Sequence, residues 1–87
     1  MTTPDDIRRW LSEAKQQKAT HMLVVCDTWD YQDYPVFVKP GESVRKEYEK
    51  RDDPREMRKV MEVYAMHLDL EAQLAEHRAF HFEEPPS

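Results

Sequence analysis

The sequence predicts an α+β fold: a three-stranded antiparallel sheet with three helices in the order α-β-β-α-β-α, the helices mainly on one face. Three observations predict it. Ile7, Trp10, Leu11 and Ala14 recur at the i, i+3, i+4, i+7 spacing of an amphipathic helix. Met22-Leu23-Val24-Val25-Cys26 is an apolar run without polar alternation, as in a central strand covered on both faces. Val36-Phe37-Val38 is a second β-type run, reached through a span too short for a crossover helix, so the two strands are expected to be antiparallel neighbours.

The first helix, about residues 4 to 18, opens on Thr3-Pro4-Asp5-Asp6. Thr3 can accept a backbone N–H as N-cap, and Pro4 loses nothing at the first helical position. The two aspartates oppose the positive end of the helix dipole, and Lys15 and Lys18 sit near the negative end. Pro35 bars the second strand from starting much earlier, and Pro40-Gly41 ends it. Ser43 starts a second helix, SVRKEYEKR, with Val44 and Tyr48 as a thin apolar stripe, and Asp52-Asp53-Pro54 stops it. Residues 57–68 read two ways. Met57, Val60, Met61, Tyr64 and Leu68 fit helical spacing, whereas Val60–Tyr64 has the β-branched and aromatic content of a strand. The strand is favoured because a lone two-stranded hairpin is poorly stable. Asp69 then caps a last helix, LEAQLAEHRAF. Residues 1–82 read as one domain and 83–87 as a disordered tail. Trp10, Leu11, Leu23, Val25, Val36, Val38, Val60, Tyr64 and Leu74 are the expected core.

At 87 residues there is room for one small core. The single cysteine, Cys26, rules out an internal disulfide framework and suggests a reducing compartment. The amino terminus lacks a signal-peptide apolar region, and no stretch approaches a membrane span, so a cytoplasmic location and no membrane partner are expected. Net charge is −5. It is unevenly spread: residues 45–59 are slightly basic, and residues 60–87 hold one basic and six acidic side chains. That balance disfavours nucleic acid and suits a protein partner with a basic surface. The far face of the first strand is also apolar, and a homodimer would cover it.

The segment between the first two strands carries the candidate site: Asp27, Trp29, Asp30, Tyr31, Asp33 and Tyr34. Tyr and Trp beside acidic neighbours suit recognition of basic or planar groups. The alternative is a small-ligand binder or weak hydrolase holding a divalent ion at Asp27, Asp30 and Asp33, since hard cations favour oxygen ligands. The segment has none of the ligand spacing of an EF-hand, and the ordinary reading is aspartates bonding their own turn. Cys26 follows four apolar residues and precedes an acid, which suits packing rather than a nucleophile. His77 and His81 are spaced as a metal half-site but lack the glutamate of HExxH and further ligands. The basic residues from Arg45 to Lys59 are interleaved with acids, as on a mixed-charge helix face, with phosphate clamping as the sharper alternative. No base–nucleophile pair can be assembled, so a non-enzymatic binding protein without a cofactor is favoured over an enzyme.

THMLVVCDTWDYQDYPVFV and VMEVYAMHLDLEAQLAEHRAFHF resemble segments of small uncharacterised bacterial and phage proteins, the similarity covering about residues 20–39 and 57–82. In that group a THMxVVCDTxDYxDYPVxV-type segment precedes a carboxyl end of the VMEVY…LEAQL…RAFH type. The resemblance implies a phage or mobile-element origin and brings no activity with it.

Overall fold

The computed structural model describes residues 2–76 and 78–85. The elements are α1 (Pro4–Gln16), β1 (His21–Asp27), β2 (Gln32–Val38), α2 (Val44–Arg51), a 3-10 turn (Pro54–Glu56), β3 (Arg58–Ala65) and α3 (Leu70–Leu74). The three strands form one antiparallel sheet in the order β2-β1-β3.

α1 begins as its sequence demands. Thr3 Oγ1 accepts from the Asp6 amide, and the Asp6 carboxylate accepts from the Thr3 amide at 3.0 Å. That second bond is the main reason the Asp6 carboxyl is held below its usual range. The helix stops at Gln16 because Lys18 turns into the left-handed region (φ 59°) and the Ala19 amide bonds back to Ala14.

β1 is the middle strand, and the absence of alternation in it has a direct cause. Met22 and Val24 face α1 and α3, in a cluster with Leu11, Ala14, Tyr64 and Ala79. Leu23 and Val25 face the other way, in a cluster with Val38, Val44, Val60 and Val63. Each fully buried side chain of this kind contributes roughly 1.5–3 kcal/mol. Two helices thus share one face. The other face, which the sequence left open for a second copy, is covered by α2 and by Phe82, with Tyr48 edge-on to the Phe82 ring at 5.3 Å. Trp10, Val36 and Leu74 of the expected core are only half-buried.

β3 resolves the double reading of residues 57–68 as strand. Val24 opposes Glu62 while Val25 opposes Val60, so Met61 is an extra residue and the strand carries a β-bulge. Val60 and Val63 therefore share one face although they stand three apart. Met61 and Tyr64 share the other face at the same interval, and that spacing, with Val60 before it, is what imitated a helix.

The last helix is shorter than expected. α3 ends at Leu74, and the chain then leaves the helix and returns to the sheet. Phe80 forms a parallel bridge to Val63: the Val63 amide donates to Ala79 O at 2.7 Å, and the His81 amide donates to Val63 O at 3.0 Å. The buried His21 ring fastens the strap further along, its Nε2–H donating to Glu83 O at 2.8 Å. Residues 86 and 87 of the expected tail lie outside the described residues. Gln73, almost fully buried, holds the junction of β3 and α3. Its Oε1 accepts from the Ala65 amide and its Nε2 donates to Ala65 O, both at 2.9 Å.

His81 on the strap also pairs with Glu76 at 2.8 Å, and Glu83 lies 3.5 Å from its other nitrogen. The bond to Glu76 is the chief reason the imidazole is raised above its ordinary 6.5. A raised folded-state value means that the contribution is complete below about pH 6.5 and is lost as pH rises through the raised value. Both partners are partly exposed, so the effect stays below about 1 kcal/mol. Hydrogen-exchange protection at the His81 amide, corrected for intrinsic rate, should fall over that upward pH range in the wild type and stay flat in His81→Ala. An unchanged profile in the variant would refute the assignment.

Candidate recognition tip

The β1–β2 connection is a four-residue turn, Thr28–Tyr31, at one end of the sheet. Its shape is set by local bonds rather than by packing. The Tyr31 amide donates to Asp27 O at 2.7 Å, with Tyr31 itself at φ 59°. The Asp27 carboxylate accepts from the Trp29 amide at 2.9 Å, and that of Asp30 accepts from the Gln32 amide at 3.1 Å. These are side-chain–backbone turns of the kind for which aspartate is favoured. The neighbouring chain adds a fourth restraint, because the Thr28 amide donates to Met57 O at 2.8 Å.

The six residues expected at the site divide into two groups. Trp29, Asp30 and Tyr31 stand in solvent, with Trp29 75% and Tyr31 78% exposed. Asp27, Asp33 and Tyr34 are half-buried. Tyr34 opposes Val25 in the β1–β2 register and packs on the α2-side cluster. Asp33 points to the opposite face, where its carboxylate accepts from the Thr2 hydroxyl and ties the start of α1 to β2. The three aspartates therefore do three separate structural tasks. Among the described residues, no three His, Cys, Asp or Glu side chains are grouped as a metal ion would need.

Met57 belongs to this end of the molecule and was not among the residues expected there. It is 44% exposed at φ 56°, and its carbonyl is bonded to the turn. Only the long-range pairing of β1 with β3 brings it there, with Asp27 opposite Arg58. Cys26 lies just inside the tip. Burial, then the Asp33 carboxylate, push its thiol pKa up, the opposite of what a nucleophile requires. His81 is engaged on the strap by Glu76, and His77 lies outside the described residues. Within the basic segment, Arg51 pairs with Glu47, Arg45 covers the Phe82 ring at 4.7 Å, and Arg58 donates to Lys50 O. These cations are at least partly spent on the fold.

Both sheet edges are poor templates for an added strand. The outer edge of β3 is bridged by the strap, and β2 carries Pro35, which has no N–H to offer. Among the described residues no helix is long and apolar enough to cross a membrane. No protein-family model, curated protein or solved structure matches the chain.

Proposed function

We propose that this chain is a small non-enzymatic interaction module that binds a protein partner through the acidic, aromatic tip of its β1–β2 hairpin. The observation that carries this reading is the exposure of Trp29 and Tyr31 on a turn held by four hydrogen bonds. Large aromatic side chains carried on a backbone already held in place cost little backbone entropy on binding, and such residues dominate interface energetics. Asp30 stands beside them in solvent, and the half-buried Asp27 and Asp33 add to the negative charge of this end, which suits a partner presenting a basic surface. A phage or mobile-element accessory factor that masks such a surface on a host protein is the concrete form of the proposal. It acts in the cytoplasm, without nucleic acid and without a membrane.

Capture of a defined partner from the native host, identified by mass spectrometry and re-measured with purified components, tests the reading. Trp29→Ala/Tyr31→Ala should weaken the purified complex by about 30-fold or more, since a single hot-spot truncation already costs about 2 kcal/mol. Its thermal stability should stay within about 0.5 kcal/mol of wild type, as both side chains are solvent-exposed. A double variant that binds the partner as tightly as wild type would overturn the proposal.

A further inference from the structure

A cleft among the described residues lies at the opposite end of β1 from the tip, on the order of 20 Å away for a strand of this length. It has a volume of about 590 Å³, within the range usual for small-molecule sites. The end of α1, the β3–α3 connection and the strap border this open cleft, and Met66, Leu68, Leu70 and Pro85 give it an apolar lining with Lys15, Lys18 and His67 among its walls. We infer that this cleft binds a small monoanionic organic acid, a carboxylate on an apolar body, with the charge between Lys15 and Lys18.

The charge balance of the walls supports that occupant. Two carboxylates also line the cleft, but both are engaged. Asp69 caps α3 by accepting from the Ala72 amide at 3.2 Å, and Glu71 receives the Arg8 guanidinium at 3.2 and 3.4 Å. Among the described residues neither Lys15 nor Lys18 has a carboxylate within ion-pair distance. With Glu71 balanced by Arg8, the walls hold two lysines against the single charge of Asp69, an excess of one positive charge above an apolar lining, complementary to an amphipathic monoanion. The carbonyl end of α1 lies at the same rim, and its partial negative charge opposes a doubly charged group such as phosphate about twice as strongly as a single carboxylate. A single carboxylate suits both conditions. Leu68, 37% exposed, is the apolar surface that its body would cover.

Titration of the full chain with octanoate below its micelle concentration, followed by amide shifts, tests the inference. Saturable shifts are expected at Ala19, Met66, Leu68 and Leu70. Octan-1-ol, octylamine and inorganic phosphate should each bind at least about tenfold more weakly, a difference of about 1.4 kcal/mol. Lys15→Gln/Lys18→Gln, confirmed folded by circular dichroism, should weaken octanoate binding about tenfold. Trp29→Ala/Tyr31→Ala should leave it unchanged, which separates this site from the tip. Absence of saturation, equal binding of octan-1-ol, or full affinity in the lysine double variant would each overturn it.

Discussion

Gln73→Ala is expected to lower stability by about 3 kcal/mol, a drop in melting temperature of about 15 °C for a chain of this size. The side chain makes three hydrogen bonds, two to the Ala65 backbone and one from Nε2 to Asp69 O at 3.2 Å. Ala65 is fully buried, so its amide and carbonyl find no water when the partner is removed. Each group left unsatisfied costs about 1–3 kcal/mol, and the cavity adds to that. Gln73→Glu sharpens the test. Its carboxylate can still accept from the Ala65 amide but faces two carbonyl oxygens with no proton to give. The protonated acid can give one, so folding raises the pKa of that glutamate and the lost stability should partly return as pH falls. Chemical denaturation across pH 4–8 reads both effects. A Gln73→Ala variant melting within a few degrees of wild type would show that the clamp is dispensable.

The clamp was not legible in the sequence, where Gln73 is one polar residue in a helix-forming segment. What was legible depended on local rules. The Thr3–Asp6 box and Pro4 mark the start of α1 wherever that helix packs. The unbroken run from Met22 to Cys26 marks a central strand because only two-sided burial permits it. The exposed tip followed from the same logic: a short polar connection between two buried strands has nowhere to go but solvent. The facing of its residues was not legible, because it depends on the register, which places Tyr34 opposite Val25 and sends its ring inward instead of out to the tip. What failed depended on tertiary context. Met61 bulges, and the bulge borrowed a helical interval for β3. Met57 reaches the tip through strand pairing, and the lysine-walled cleft is assembled from segments about 50 residues apart. The segment LEAQLAEHRAF reads as helix through residue 80 because Leu70, Leu74, His77 and His81 fall on one side of it. In the fold, Ala79 is fully buried and packs with Met22 and Val24, and a continued helix is replaced by a strap reaching the edge of β3.

Ending the chain after Arg78 is the second large effect, expected to remove about 4 kcal/mol. Phe82, half-buried against Tyr48 and the α2-side cluster, contributes roughly half of the 1.5–3 kcal/mol of a fully buried side chain. The two bonds to Val63 and the His21–Glu83 bond add about 1 kcal/mol each before relaxation. Small domains hold about 5–15 kcal/mol in all, so the shortened chain should sit near its unfolding threshold. The loss also changes which surfaces are free. Without the strap, Val63 presents an unpaired amide and carbonyl on the outer edge of β3, and an exposed edge pairs readily with another copy. The shortened chain should therefore associate as concentration rises, in contrast to Phe82→Ala, which removes the packing but leaves the bridge. Light scattering and denaturation of the two variants together separate packing from edge protection. If the shortened chain melts within a few degrees of the parent and scatters as the parent does, the strap neither stabilises the sheet nor guards its edge.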